Sequence, residues 1–396
     1  MFRFLTAGES HGQGLVVTID GVPAGLPLSE DQIAVDLARR QRGYGRSKRM
    51  QLEQDRAVIV TGVRHGVTLG SPIGLTIENK VWPDWQEGMS VSPIEREMNT
   101  ITRLRPGHAD LPGSLKYHQT DVRNILERSS ARETVARVAV GAVARALLVE
   151  LGVAVYSHTL SIGAVEAPER DVQAMDWAKV EESPVRCADA RAGDLMVAEI
   201  DAAREAGDTV GGVFEVLAFK VPIGLGSHVQ WDRRLDGRIG QAMLSINAVK
   251  GVEIGPAFEN TRRRGSLVHD VVEPWAGTLG ANGQPAPGGT WSRQTNRAGG
   301  LEGGMTNGQP LVVRCALKPI STLSKPLPSV DLLTGDVVQA HYERSDVCVV
   351  PAAGVIGEAM LASVLAQALL EKFGGDHVNE TRRNLRSYLL TGLRES

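Results

Sequence analysis

Ser130-Ala131-Arg132-Glu133, followed by TVARVAVGAVARALLVELG over residues 134–152, is the stretch from which the fold can be read. A serine with a glutamate three places on is a capping box, which starts a helix by satisfying backbone N–H groups that have no partner inside it. The run that follows is rich in Ala, Val and Leu, and it stops at Gly152, a residue suited to a helix C-terminus. The spacing predicts a helix over Ala131–Leu151, roughly 20 residues and about 30 Å long. Small apolar residues on most of its faces suit a central helix packed closely by neighbours, not one lying on a surface. At its start, Arg128-Ser129-Ser130 meets free N–H groups and the positive end of the helix dipole, a place that favours an anion.

Outward from this helix the chain mixes both periodicities. Strands are expected at 16–19, 58–63, 73–77, 213–221 and 311–317, each bounded by Gly or Pro. Helices are expected at 28–41, 195–206, 235–249, 355–373 and 379–390, with Gly207, Gly251 and Gly374 as C-terminal caps. Three landmarks recur in the same order. Val22-Pro23-Ala24-Gly25-Leu26 is echoed by Val221-Pro222-Ile223-Gly224-Leu225, and GVTLGSPI (66–73) by GMTNGQPL (304–311). Arg128-Ser129 and Arg344-Ser345 each precede a helix, ending in Ala146-Leu147-Leu148 and Ala368-Leu369-Leu370. The expectation is one domain over 1–396, built from two similar halves at about 1–155 and 205–375 that share a core. No Pro/Ser-rich linker divides them. Residues 261–308, dense in Gly, Pro, Asn and Arg, are expected to form a long irregular loop.

Composition narrows the classes. A chain of 396 residues can bury a large core, and 42% hydrophobic with 22% charged residues is globular, not disordered. A net charge of -3 makes any basic site local and argues against a nucleic-acid or membrane partner. Three scattered cysteines without CxxC spacing give neither a disulfide framework nor a zinc knuckle, and no other cluster has metal-ligand spacing. MFRFLTAGESHG lacks the apolar segment of a signal peptide. The long apolar stretch Val138–Tyr156 is interrupted by Arg145 and Glu150, which argues against a membrane span. Cytoplasm is the expected compartment.

Several motifs carry chemistry, each with a plain alternative. Gly8-Glu9-Ser10-His11-Gly12 fits the nucleophile-elbow pattern, yet only seven residues precede it, too few for the upstream strands an elbow needs. Its glycines let backbone approach a ligand beside His11; a solvated histidine in a strand-end turn is the alternative. In RRQRGYGRSKR (39–49) the first arginines favour a helix C-terminus, but Arg46, Lys48 and Arg49 lie beyond the glycines. Arginine suits bidentate binding of phosphate or carboxylate. An RNA-binding protein is the non-enzyme alternative, but 4% aromatic residues leave little for base stacking. His108 follows a Pro-Gly turn, either as a catalytic group or as an ordinary surface histidine. Lys318-Pro319-Ile320-Ser321-Thr322 offers one cation and two hydroxyls, and Arg344-Ser345-Asp346 a cation with a carboxylate that a salt bridge would also explain. The Gly-rich run 292–304 is no phosphate loop, and neither a Walker pattern nor a dinucleotide fingerprint occurs. Together these point to an enzyme holding a small, multiply anionic substrate among arginines and histidines. A different phospho-sugar or enolpyruvyl enzyme would use the same lining.

The conjunction is more specific than its parts. GESHGQGLVVTIDGVP (8–23), RSSARETVARVAVGAVAR (128–145) and RSDVCVVPAAGVIGEAML (344–361) resemble the three signatures of the chorismate synthase family. RRQRGYGRSKR, RPGHAD, SINAVKG, QTNRAGGLEGGMTNGQP and KPIST are also similar to that family, in its usual order, from about Arg3 to Phe373. The resemblance implies an α+β fold, a β-α-β sandwich with central helices and internal duplication. It implies the 1,4-anti-elimination of phosphate from 5-enolpyruvylshikimate 3-phosphate, with reduced FMN required and no net redox change. It further implies a homotetramer.

Carried over by this resemblance, His11 lies beside the departing phosphate, His108 meets the flavin edge, and Asp346 acts with the flavin in removing the C6 proton. Arg40, Arg46, Arg105, Ser130, Arg132 and Arg344 would surround substrate phosphate and carboxylates, with Arg40 and Arg46 also linked to NADPH. Flavin contacts would come from Arg128, Ser129, Ser130, Asn247, Ala248, Gly303, Arg344 and the run Lys318, Pro319, Ile320, Ser321, Thr322. With no reductase domain legible, an external flavin reductase is expected. One departure stands out: PWAGTLGANGQPAPGGT (274–290) is longer and richer in Gly and Pro than the family pattern leads one to expect.

Overall fold

The structure, a computed structural model, describes residues 2–47, 54–96, 98–274, 291–343 and 345–391. Two antiparallel sheets enclose a layer of helices. The first consists of β1 (Arg3–Ala7), β2 (Gly14–Asp20), β3 (Ala57–Thr61) and β4 (Ile73–Glu78), in the order β1-β2-β4-β3. Its register sets Val17 opposite Thr6 on one side and Leu75 on the other. Leu15, Val17 and Ile19 are buried while Val16 and Thr18 between them are exposed, the alternation of a sheet with one face on the core. The second sheet consists of β5 (Ala154–Ile162), β6 (Gly212–Phe219), β7 (Val249–Ile254) and β8 (Leu311–Leu317), in the order β7-β8-β6-β5, with short Val165–Glu166 beyond β5.

Five helices matter for the site: α1 (Glu30–Gln41), α2 (Arg123–Ser129), α3 (Thr134–Glu150), α4 (Leu235–Leu244) and α5 (Val350–Phe373). The first sheet packs on α3, the second on α5, and these two helices pack on each other. Their crossing is close because it is built from small residues. A Cβ placed on Gly141 would lie 2.2 Å from the Cβ of Ala359, so any side chain there would force the helices apart. One continuous cluster of buried apolar side chains draws on both sheets and both helices. Over most of its length α5 is buried; among the described helices it is the one long and apolar enough to cross a membrane, and 94% of its most apolar window is buried inside the fold.

Where sequence expectation and structure part, local hydrogen bonds give the reason. Ser130 does cap, but without the reciprocal box. Its Oγ accepts from the Arg132 N–H, the first turn is a 3-10 helix over Ala131–Glu133, and Glu133 turns instead to Arg137 one turn on, at 2.9 Å. A charged partner at i+4 competes well with a backbone N–H. The reciprocal box sits elsewhere, between Ser29 and Gln32 at the start of α1. Helix α4 stops at Leu244, not 249: the Ser245 hydroxyl donates to the Ala242 carbonyl, Ala248 takes a left-handed φ of 68°, and Val249 opens β7. Gly251 therefore lies in a strand and caps nothing. The stretch 261–308 is less irregular than expected, since Val272–Pro274 pairs with Trp291–Arg293 and Leu301–Glu302 with Met305–Thr306. Residues 275–290 of the long insertion lie outside the described residues.

Candidate active site

Distant parts of the chain meet at one end of the helical layer. The turn after β1 brings Ser10 and His11; the last turn of α1 and the loop beyond it bring Arg40, Arg46 and Ser47. The Pro-Gly turn brings Arg105 and His108, and the junction of α2 with α3 brings Ser129, Ser130 and Arg132. Asn247 and Ala248 arrive from the end of α4, Lys318, Ile320, Ser321 and Thr322 from the end of β8, and Asp346 from the approach to α5. They border one cavity of about 460 Å³, whose apolar wall is formed by Leu126, Ile246, Val349, Ala352 and Ile356. Apolar walls with a few convergent polar groups are the usual make-up of a small-molecule site.

The arginines in it are not equivalent. Arg105 is committed to Asp110 by two bonds of 2.9 and 3.0 Å, and Asp110 also takes the Nδ1 of His108 at 2.5 Å. Burial pushes the Asp110 carboxyl up, but His108 and Arg105 outweigh it and hold it well below the usual carboxylate range. Arg105 thus sets the orientation of His108. Arg132 bonds Asp55 at 2.6 Å and Asn79 at 2.9 Å. Arg46 pairs with Asp346 at 3.0 Å, and the Ser47 N–H donates to the other oxygen of that carboxylate at 2.6 Å.

Arg40 has no carboxylate within hydrogen-bonding distance among the described residues. Its Nε and Nη2 donate to Thr134 Oγ1 and the Ala131 carbonyl, both at 2.9 Å, yet Nη1 has no hydrogen-bond partner among the described residues. Asp55 Oδ2 stands 3.9 Å away and is likewise unsatisfied. Burial, reinforced by the neighbouring charge of Arg46 and Arg132, brings the Arg40 guanidinium down to about 10 from 12.5, with Asp55 opposing the shift.

His11 is set by residues the sequence reading did not single out. Glu127 on α2 accepts the His11 N–H and contacts its Nδ1, both at 2.8 Å. Trp85 stacks on the imidazole with ring centroids 4.2 Å apart, and Arg123 lies over the same indole. The one signal for Glu127 in the sequence is its place four residues after Arg123, the spacing of a helical ion pair, here 3.0 Å. Asp55 and Asn79 carry no such mark.

Three expected residues stand apart from the cavity. Arg128 faces a neighbouring depression and donates to the carbonyls of Thr6 and Gly8, holding the end of β1. Pro319 does not border the cavity, unlike the residues on either side of it. Gly303 sits in the tight turn after Leu301–Glu302, next to Gly304 whose carbonyl accepts from Leu235 at the start of α4, whereas Asn247 lies beyond that helix's other end. Arg344, like Lys48 and Arg49, lies outside the described residues.

An α+β sandwich with an arginine-rich pocket, two anchored histidines and an apolar wall suits an enzyme for a small polyanion. The sequence model of the chorismate synthase family matches residues 2–370, and the chain belongs to that family. It is 55% identical over 391 residues to a chorismate synthase of Moorella thermoacetica, which covers 98% of both chains. It is 52% identical over 400 residues to one of Acidothermus cellulolyticus, covering 99% of each. A chorismate synthase crystal structure superposes with a TM-score of 0.77 at 45% identity, over 98% of this chain and 97% of that one. The reaction is therefore that of a carbon–oxygen lyase: 5-enolpyruvylshikimate 3-phosphate loses phosphate by 1,4-elimination and becomes chorismate, a step of the shikimate pathway.

Proposed function

We propose that the elimination takes place in the cavity around Arg40, with reduced FMN bound beside the substrate. The observation that carries this is the buried Arg40 with its unsatisfied Nη1, amid Arg46 and Arg132. Buried positive charge without a hydrogen-bonded counter-ion costs free energy that an anionic ligand recovers. The residues also suit a flavin: the apolar wall of Ile246, Val349 and Ile356 accepts a planar ring, while Ser129, Ser130, Asn247, Lys318, Ser321 and Thr322 offer polar contacts around it. When bound, reduced FMN supplies electron density to the allylic system. Everything else falls to the protein. Arg40, Arg46 and Arg132 hold the substrate's phosphate and carboxylates and stabilise the charge that collects on the departing phosphate. His11 gives that phosphate a proton. His108, oriented through Asp110 and Arg105, serves the flavin edge, and Asp346, anchored by Arg46 and Ser47, receives the C6 proton. Arg128 acts by fixing the β1 end, and Arg344 completes the flavin contacts, whereas the distance of Gly303 from the cavity argues against a flavin role for it.

Anaerobic assay with reduced FMN tests this reading. His11→Ala is expected to lose most turnover, on the order of 100-fold or more for a positioned acid, while FMN still binds. Unchanged turnover would remove His11 from the chemistry. NADPH serves as the ultimate reductant through an external flavin reductase, which the lack of a dinucleotide fingerprint supports. A homotetramer is supported by the exposed apolar row Leu5, Val16, Val58 and Val60 on the outer face of the first sheet. Three buried free cysteines fit the reducing cytoplasm.

The single domain over 1–396 is likewise read as a duplication. Strand order supports it: β1-β2-β4-β3 in one sheet matches β5-β6-β8-β7 in the other, with α3 and α5 each following its set. The recurring landmarks support it further. Thr68 Oγ1 donates to the Pro23 carbonyl at 2.7 Å and accepts from Leu26 N–H at 3.0 Å; Thr306 Oγ1 does the same with Pro222 and Leu225 at 2.6 and 2.8 Å. On this reading the second half starts with β5 at Ala154, earlier than residue 205.

A further inference from the structure

We propose that Glu127 is the positioning residue for His11: its carboxylate holds the backbone and the ring of that histidine together, fixing tautomer and orientation and stabilising the imidazolium at the leaving phosphate. This rests on the reading of His11 as the group beside that phosphate. One oxygen of Glu127 accepts the His11 backbone N–H and the other meets Nδ1, each at 2.8 Å, while the Glu127 carbonyl accepts the N–H of Ser10 at 3.1 Å. A ring whose Nδ1 is bound to a carboxylate carries its proton there, so proton exchange with a ligand runs through Nε2. Trp85 stacked on one face of the imidazole restrains its remaining rotation.

Arg123 already supplies Glu127 with a counter-ion at 3.0 Å. The clamp on two nitrogens of one residue is a geometry for orientation. Burial pushes the Glu127 carboxyl up, but the hydrogen bond and charge of His11, with Arg123 behind them, hold it below the usual range, so it remains an anion facing the ring. Among the described residues, the other charged groups around His11 include Glu343, paired with His341 at 3.0 Å and Arg123 at 3.7 Å, and, across the cavity, Arg40, Arg46, Arg105, Arg132 and Lys318, with His108 and Asp346. Those arginines disfavour a second cation, and Glu127 is the contact that offsets them at the ring itself. In the step, the carbon–oxygen bond to phosphate breaks and its electron pair goes to the phosphate oxygen. The Nε2 proton of His11 joins that oxygen, so that hydrogen phosphate departs. The ring is left neutral, keeping its Nδ1 proton, which it donates to the Glu127 carboxylate, and Nε2 takes a new proton from solvent once the product leaves.

The full chain with reduced FMN under anaerobic conditions provides the test, using Glu127→Gln. The amide keeps the size and removes the charge, so the alkaline fall of kcat/KM is expected to move about one pH unit or more toward acid. Turnover then drops about 5-fold at the wild-type midpoint, approaches a loss of about 10-fold above it and recovers in acid. A loss of equal size at every pH, with the fall unmoved, would overturn the proposal. Trp85 gives a second readout that needs no turnover, because a protonated imidazole stacked on an indole quenches its fluorescence. The pH midpoint of the emission difference between the unaltered chain and Trp85→Phe is expected to shift toward acid in Glu127→Gln and to vanish in His11→Gln. Should Glu127→Gln not fold, Glu127→Asp, which keeps the charge but draws it back, is expected to give a smaller shift of the same sign; no shift there overturns the proposal. A shift in fluorescence without one in kcat/KM refutes His11 as the proton donor, and the Glu127 role with it. No shift in either, with His11→Gln inactive, refutes Glu127 alone.

Discussion

Arg39 and Arg40 leave the same turn of α1 and meet opposite fates. Arg39 bonds Glu358 at 2.8 and 2.9 Å, Glu181 at 2.6 Å and Asp36 at 2.8 Å. Burial alone would lower its pKa, but those carboxylates raise it instead, above the ordinary arginine value. Arg145 and Arg186 close on the same Glu358, and Ser157 donates to it at 2.6 Å. About 100° around the helix, Arg40 points into the cavity with one nitrogen unsatisfied and its guanidinium brought down to about 10. Charge that is closed on itself ties helices together; charge left open waits for a ligand. The difference lies in how many carboxylates the fold brings up, not in the arginines.

The largest expected effect comes from opening the closed side. Glu358 is fully buried, and Glu358→Ala strands Arg39, Arg145 and Arg186. Removing one partner of a buried ionic group costs about 3–5 kcal/mol, read from the urea midpoint. Acid should do part of the same. Burial pushes the Glu358 carboxyl up, but the arginines bring it down to about 2 from 4.5. A depressed carboxylate contributes its stability above the unfolded value and loses it as pH falls toward the folded one, so about 3 kcal/mol is expected to disappear between those two values. Glu358→Gln should flatten that part of the stability–pH curve; an unchanged curve would mean that the cluster does not hold the helices.

Next in size is the paired exchange of the two neighbours. Arg39→Met should lower stability by about 3 kcal/mol by stranding buried carboxylates. Arg40→Met should cost clearly less, because it also relieves repulsion from Arg46 and Arg132, while weakening substrate binding about 100-fold, as expected for lost charge-assisted bonds. Substrate titrations and melts on the same two proteins separate these outcomes, and equal melts would erase the distinction. Because Arg40 loses its proton near 10 in the folded protein, anion binding should decline as pH rises through that value, provided the fold persists there.

None of this difference was legible in RRQRG. The partners of Arg39 come from residues 181 and 358, and a helix phase says nothing about which face will find carboxylates. Local pattern did reveal β8, which runs over Leu311–Leu317 as its apolar run predicts, and α1 apart from its first two residues. It concealed β5, because buried polar residues break its apolar alternation, with Ser157 bonded to Glu358, His158 to Glu215 and Thr159 to the Val185 carbonyl. It overran α4, whose end is set by a single hydroxyl at Ser245. Most cavity residues were reached through resemblance, and the structure brings His11, His108, Asp346 and the hydroxyls of Ser129, Ser130, Ser321 and Thr322 to one place. The carboxylates that organise them, Glu127, Asp110 and Asp55, went unmarked, since a buried acid looks in sequence like any exposed one.

Asp55 offers the finest cut between the two regions. It is the carboxylate within reach of both Arg132, at 2.6 Å, and Arg40, at 3.9 Å, so it stands inside the open cluster where Glu358 stands inside the closed one. Arg132 keeps Asn79 and the Glu78 carbonyl when Asp55 is altered. Asp55→Asn should therefore cost only about 1–2 kcal/mol, well short of Glu358→Ala. What distinguishes it is the response to anions. Removing a negative charge from an already cationic cavity raises its attraction for phosphate, and a ligand that binds only the folded state stabilises it in proportion to the logarithm of its concentration over Kd. The melting rise produced by inorganic phosphate should then be larger in Asp55→Asn than in the unaltered chain, whereas Glu358→Gln, remote from the ligand, should show no such gain. If phosphate raised both variants equally, the cavity would be no more open to anions than the interior of the helix layer.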